Sequence, residues 1–359
     1  MIGKTMFKYT FLLSGLILAG CSSNTAVQYQ SQPPANRTLD QFQHYVHYLQ
    51  YQAKQQGVSE KTIAQKGQNV NYIARAVELD NAQAERAQRN RNAPPRPNPH
   101  GITRYLNKVL TPHKVDVAVE RYWQQLPALT KASQRYGVPT EYIMALWGME
   151  SSFGYYQGNY DVLSVLATLA FDGRREALFS KEYVAALKIL QSSVIDRARM
   201  KGSWAGAMGQ SQFMPSSFLS YAADGDNDGT EDIWKNQYDV FASIANYLAT
   251  VGWDKTLPWG LEVSLSEPIS LDLSGTKAAQ KRSLSQWQAL GVMPKSALDV
   301  GRWQSLGNAD LWLVQPNKEV GRAFLVTNNY RTLLNWNNSN YFATSIGMFA
   351  DRIKQRVNP

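Results

Sequence analysis

Trp147-Gly148-Met149-Glu150-Ser151-Ser152-Phe153-Gly154 and Ser203-Trp204-Ala205-Gly206-Ala207-Met208-Gly209-Gln210-Ser211-Gln212-Phe213-Met214-Pro215-Ser216 are the two stretches on which the reading of this chain turns. The first sets one glutamate at the end of an apolar helix, among Trp, Met and Phe. A carboxylate there loses hydration, so burial raises its pKa and keeps it protonated as an acid. The second is dense in glycine and alanine from Gly202 to Gly209, which lets backbone amides and carbonyls approach a ligand closely. Gln212 adds both a donor and an acceptor for hydroxyl and acetamido groups. Taken alone, a glutamate at a helix end is most often a solvated surface group, and a Gly/Ala run is more often a tight packing site. The weight lies in having both.

Outward from these stretches the pattern is mainly helical. From Leu39 a 3.6-residue period carries Phe42, Tyr45, Val46 and Leu49 on one face, followed by Ile63, Val70, Ile73 and Val77. Arg86 to His100 is rich in Asn, Arg and Pro and reads as an exposed loop. A helical stretch from about Ile102 to Tyr136 ends at Gly137, and Pro139 suits the first turn of the helix that leads to Glu150. Helices are expected at Lys181–Ser192 and at Asp239–Val251, the latter capped by Asp239 and ended by Gly252. Leu257–Thr327 alternates in places and reads as a small β-rich insertion with a helix at Ser285–Leu290. Helix returns at Ala343–Val357. The expected fold class is α+β, mainly α.

The N-terminus is a targeting segment. Lys4 and Lys8 precede the apolar run Phe11–Ala19, which is too short to span a membrane and fits a secretory signal over 1–20. Leu18-Ala19-Gly20-Cys21 resembles a bacterial lipobox, in which the cysteine is acylated and becomes the mature N-terminus. Met6-Phe7-Lys8 begins a signal of the same form, so both starts stay open. Cys21 is the only cysteine, which excludes an intramolecular disulfide. Ser22 after it points to the outer membrane, and acyl chains there would hold the protein to the membrane, facing the periplasm. Residues 21–38 read as a polar, flexible tether. The net charge of +9 suits a polyanionic partner such as peptidoglycan stem peptides or anionic headgroups, or is solvated surface charge; export argues against nucleic acid.

Together the two strings resemble the lytic transglycosylases with a lysozyme-like core, specifically the membrane-bound lytic murein transglycosylase B family. Gly206-Ala207-Met208-Gly209 followed by Gln212-Phe213-Met214-Pro215 is the specific part, and the resemblance runs from about Leu39 to the C-terminus. It implies a helical N-terminal subdomain (39–100), a lysozyme-like catalytic core (101–256), the β-rich subdomain (257–327) and a C-terminal return to the core (328–359). It also implies an enzyme that cleaves the bond between N-acetylmuramic acid and N-acetylglucosamine in peptidoglycan. Its products end in 1,6-anhydro-N-acetylmuramic acid, and a single Glu serves as acid and then base. By residue match Glu150 is that group, Ser203 supplies a hydroxyl near it, and Gln212, Tyr247 and Asn337 line the cleft. Arg174 and Arg175 match a pair that meets the acidic stem peptide. Asp172, Glu176 and Glu182 are the carboxylates that could act as a second catalytic group, and none sits in a matching motif.

Asp224-Gly225-Asp226-Asn227-Asp228-Gly229-Thr230 follows the first half of a calcium loop, with oxygen donors at alternate positions and a glycine for the turn. Lys235 stands where an EF-hand places its glutamate. The family resemblance supplies a later acidic ligand, for which Asp239 is the candidate. The expected set is therefore Asp224, Asp226, Asp228, Thr230 and Asp239 around a structural Ca²⁺, with no cofactor for catalysis. The four histidines form no zinc-like cluster. Two rival readings stay open: a muramidase-type hydrolase that uses water, and a peptidoglycan-binding lipoprotein without catalysis. The sequence names no protein partner.

Overall fold

The structure, a computed structural model of the chain, describes residues 27–92, 98, 100–192, 195–318 and 321–358. The signal run and Cys21 lie outside the described residues. The chain forms α1 (Phe42–Gln55), α2 (Glu60–Lys66), α3 (Ala74–Asn92), α4 (Gly101–Val109), α5 (Pro112–Gln124), α6 (Leu126–Tyr136) and α7 (Thr140–Ser151). After the short strand β1 (Tyr160–Asp161) come α8 (Val162–Asp172) and α9 (Glu176–Ser192). The short strand β2 (Lys201–Gly202), α10 (Pro215–Tyr221) and α11 (Gln237–Thr250) follow. The rest comprises β3 (Gly260–Leu265), α12 (Leu284–Ala289), β4 (Val292–Pro294), α13 (Val300–Ser305), β5 (Trp312–Val314), β6 (Ala323–Val326), α14 (Asn328–Trp336) and α15 (Asn340–Val357).

Several expectations need correcting. The stretch Ile102–Tyr136 is three helices, because Pro112 and Pro127 each start a new one at its first turn, the former capped by Thr111. Arg86–Asn92 is helical, not loop: the prolines begin only at Pro94, and the Ala, Gln and Arg before them favour helix. The helix expected from Lys181 starts at Glu176. Asn236 caps α11 by accepting the N–H of Tyr238, while Asp239 sits buried in its first turn. The expected tether is seated on the body from Val27 onward. Tyr29 lies under the Lys54 ammonium (4.8 Å), Pro34 is buried, and Arg37 donates to Glu176 while stacking over Tyr45 (4.3 Å).

Helix α8 is buried along almost its whole length, so its polar residues must find partners inside. Ser164 and Thr168, four residues apart on one face, accept the backbone N–H groups of Asn71 and Ile73 (3.0 Å each). They thereby fix the extended link between α2 and α3.

The four larger strands form an antiparallel sheet in the order β4-β3-β6-β5. Its two faces go to different cores. Trp312, Val314, Phe324 and Val326 join the helical core, while Leu261, Val263, Leu313, Ala323 and Leu325 close a smaller core with Trp287, Val292 and Trp303. A strand covered on both sides loses the apolar–polar alternation. This explains the continuous apolar runs at 312–314 and 323–326. Arg302 ties the small unit to the large one through a bidentate pair with Asp351 of α15 (2.7 and 2.8 Å), which also accepts the Trp259 indole N–H.

Candidate active site

Glu150 is the penultimate residue of α7, a helix whose residues from Tyr142 to Gly148 are all buried. The chain turns sharply just after it: Ser152 and Phe153 both adopt left-handed backbone (φ +49° and +61°). Two successive non-glycine residues in that region store strain, and such strain collects at functional sites. The turn is held by Ser151 Oγ, which accepts from Gly154 N (3.0 Å), and by Tyr156 N, which donates to Ser151 O (2.8 Å). The Phe153 ring folds back on Gly148, where an added Cβ would lie 2.6 Å from it. The glycine in this motif therefore makes room for a ring.

The Glu150 carboxyl is pushed up from 4.5 to about 7, chiefly by burial. Its partner is the indole of Trp336, whose Nε1–H donates to Oε1 at 2.7 Å and acts in the opposite direction by favouring the ionised form. No charged side chain contributes to the shift. Trp336, the last residue of α14, is clamped by Tyr247 (ring centroids 4.7 Å) and Phe213 (5.4 Å). Phe213 belongs to the glycine-rich stretch, so that stretch reaches Glu150 through two aromatic rings. Burial raises the phenol of Tyr105 on α4, against a lowering hydrogen bond with Ser345, and the charge of Glu150 adds a smaller push upward. Sequence reasoning missed both Trp336 and Tyr105. Trp336 sits directly before Asn337, yet nothing in local spacing couples it to a residue 186 positions away.

The glycine-rich stretch forms stacked turns, with Gly202 bridging to Met208 and Met208 to Phe213. Its glycines serve packing first. A Cβ on Gly206 (φ +85°) would meet Leu166 at 2.6 Å, and one on Gly209 (φ +62°) would meet Ile233 at 2.7 Å. Ser203 Oγ accepts the N–H groups of Ala205 and Ala207 (3.3 and 3.1 Å), leaving its own proton to donate. Gln212 (φ +52°) spends its amide on Gly209 O (2.8 Å) and Gln157 O (3.3 Å), which leaves its carbonyl oxygen for a ligand. Buried Gln210 receives the Trp147 indole N–H (2.7 Å) and donates to Trp234 O (2.9 Å), joining the two motifs. Tyr247 also meets Tyr221 edge-on at 4.6 Å, and burial pushes its phenol up to about 12. Asn337 is exposed at the C-cap of α14.

Arg174 and Arg175 are already engaged. Arg174 Nε donates to the buried carboxylate of Asp80 (2.8 Å), and Arg175 pairs with the other oxygen. Of the three candidate second carboxylates, Glu176 holds Arg37 and Tyr45, and buried Glu182 accepts from Ser216 N and Oγ (2.8 and 2.6 Å). Asp172, raised by burial and by Asp80, sits beside the arginine pair.

In the acidic loop, carboxylate oxygens of Asp224, Asp226 and Asp239 lie within 4.8 Å of one another. Asp228 is not in that cluster: its Oδ1 accepts from Thr230 N (2.8 Å) and Oγ1 (2.7 Å). Burial, with added repulsion from Asp226 and Asp224, raises Asp239 to about 6. A cation would relieve that crowding of negative charge, and three hard oxygen donors fit calcium.

A profile of the Transglycosylase SLT domain family matches residues 41–351. Over 250 residues the chain is 33% identical to membrane-bound lytic murein transglycosylase B of Escherichia coli (strain K12), an alignment that covers 68% of this chain and 64% of that protein. SltB3 of Pseudomonas aeruginosa, in complex with NAG-anhNAM-pentapeptide, matches with a TM-score of 0.75 and 35% identity, over 87% of this chain and 79% of that one. The Escherichia coli lytic transglycosylase Slt35, in complex with calcium, matches with a TM-score of 0.68 and 27% identity, over 93% of this chain and 98% of that one. The mainly helical α+β fold is thus that of lysozyme-like lytic transglycosylases. The chain belongs to the Transglycosylase SLT domain family.

Proposed function

We propose that this chain is a lytic transglycosylase that cleaves the β-1,4 bond between N-acetylmuramic acid and N-acetylglucosamine in peptidoglycan. One observation carries the reading: a single carboxyl held near neutrality by burial, with an indole N–H as its partner and no charged group contributing to its shift. Hydrolases of this geometry use a second carboxylate as base or nucleophile. Here the three candidates are tied to Arg37, Ser216 and the Asp80–arginine cluster. Glu150 gives its proton to the glycosidic oxygen as the C1–O bond breaks, while the substrate's acetamido group supports C1. The resulting carboxylate, stabilised by the Trp336 N–H, takes the proton of the muramyl 6-hydroxyl as that oxygen bonds to C1. The ring closes without water, and an attacking hydroxyl held in the same sugar has a large entropic advantage. Ser203 O–H and the Gln212 carbonyl would orient the sugar.

A structural calcium ion fits the loop, held by Asp224, Asp226 and Asp239; it would clamp the loop and supply no proton chemistry. Arg174 and Arg175 would meet stem peptides only through donors not used by Asp80. Among the described residues no helix is long and apolar enough to cross a membrane. Attachment would come through acylation of Cys21, placing the enzyme on the outer membrane facing the periplasm.

Digestion of purified sacculi followed by mass spectrometry tests the reading. Anhydro ends support it. Reducing ends would favour a muramidase-type hydrolase, and binding without soluble products would leave a glycan-binding lipoprotein.

A further inference from the structure

The Gln210 side chain is 3% exposed, and both ends of its amide are committed to protein groups. Oε1 accepts the indole N–H of Trp147, and Nε2 donates to Trp234 O. Its backbone N–H donates to Ile233 O (2.8 Å), so residue 210 grips the 233–234 backbone at two points. Trp147 stands one helical turn before Glu150 on α7. Its carbonyl accepts Ser151 Oγ (3.2 Å) and Phe153 N (3.3 Å), just beyond the glutamate. The Gln210 amide also fills the space over Gly154, where a Cβ would lie 2.5 Å from Oε1. One side chain thus touches the segment both before and after Glu150. Between those contacts lie Ser152 and Phe153, whose left-handed backbone persists only where the surroundings over-determine it.

We propose that Gln210 is a positioning residue for Glu150: it braces the end of α7 and the turn after it against the 233–234 backbone, and so fixes where the carboxyl sits. The inference rests on the transglycosylase reading and adds to it a residue that acts on the acid without touching the sugar. Buried, with its amide spent on Trp147 and Trp234, Gln210 does not reach the glycan, whereas the Gln212 carbonyl oxygen is open. Freeing either end of the Gln210 amide leaves a buried polar group unpaired, which is why the brace is stiff. Proton transfer depends steeply on placement, and a displacement of about 1 Å can cost roughly 100-fold in rate. Without the brace the turn relaxes and water reaches a carboxyl that burial otherwise keeps protonated. The titratable side chain coupled to Glu150 is the Tyr105 phenol, and no charged group contributes to the shift of Glu150, so hydration is the quantity that changes.

The test measures kcat, KM and the pH dependence of kcat on soluble glycan strands for wild type, Q210M and W147F, below the lowest of their melting temperatures. Met keeps the length of Gln and removes both side-chain hydrogen bonds; Phe keeps a ring at 147 and removes the indole donor. Q210M should lower kcat about tenfold or more and leave KM within about twofold. Its alkaline limb of kcat should move down by about one pH unit as the carboxyl hydrates. W147F should shift both readouts in the same direction. The double variant should be no worse than the poorer single one, because the two side chains act through one hydrogen bond. A merely structural role would lower the melting temperature and leave kcat and the limb in place, and that result in either folded variant overturns the proposal. A raised KM at constant kcat also overturns it, since Gln210 would then serve the sugar. If Q210M unfolds, W147F carries the test from the other end of the same bond. A wild type that releases no product defeats the transglycosylase reading and the inference with it, whereas an active wild type matched by folded W147F defeats only the inference.

Discussion

Replacing Trp336 with phenylalanine removes the donor aimed at Glu150 while leaving an aromatic ring between Phe213 and Tyr247. A hydrogen bond to a charged group contributes about 1.5–3 kcal/mol. The protonated acid forfeits part of the same bond, so the ionised form loses roughly 1.4 kcal/mol more than the neutral form, which is about one pH unit. Glu150 should therefore move from about 7 toward a value roughly one pH unit higher. The first chemical step needs the protonated form, so activity falls as pH rises through this pKa. The alkaline limb of kcat against pH should thus shift upward by about one pH unit in W336F. The assay is release of soluble products from sacculi between pH 5 and 9, with melting temperatures taken alongside to show that the variant is folded. An alkaline limb that stays in place or moves down would refute the role given to the indole.

Glu150→Gln should leave glycan binding largely intact and lower cleavage by at least about 100-fold; substantial residual turnover would reject the single-acid scheme. The same variant tests the linkage. The folded-state pKa of about 7 lies above the ordinary 4.5, so ionisation opposes folding. The stabilising contribution is complete below pH 4.5 and is lost as pH rises through 7. In urea titrations the variant should gain on wild type by about 3 kcal/mol between pH 4 and 8, and a flat difference would count against a buried Glu150. Asp226→Ala should abolish a calcium-dependent rise in melting temperature, and a wild type indifferent to calcium and chelator would sink the metal site. Gly148→Ala would force a Cβ to 2.6 Å from the Phe153 ring and 3.0 Å from Phe349, for a destabilisation of about 1–3 kcal/mol; an unchanged melting temperature would contradict that packing.

What could be read from the chain alone follows the range of each interaction. The end of α7 was legible because its burial is written locally, as an apolar run interrupted by one acid. The family resemblance located the second motif but not what its glycines touch: Gly206 and Gly209 face Leu166 and Ile233, contacts that no spacing announces. Trp336 was invisible for the same reason, since its partner comes from the opposite end of the domain. The arginine pair shows the converse. The family resemblance offered two adjacent guanidinium groups to an acidic ligand, and the first acid they meet is Asp80, buried in α3. Polar composition also misled at residues 27–38, where Tyr29 and Arg37 supply the aromatic and ionic contacts that hold a nominal linker down. Asp239 could be placed in the acidic cluster from a resemblance, but its two backbone partners, Gly225 N and Asp232 N, became apparent only in three dimensions.

The single-acid mechanism stands on the protonation state of one side chain. A carboxyl-carbon NMR titration of protein labelled at glutamate, with the Glu150 signal identified by its absence in E150Q, measures that state directly. The single-acid mechanism requires a midpoint near 7. A midpoint at the ordinary carboxylate value near 4.5 would show a solvated glutamate and contradict it.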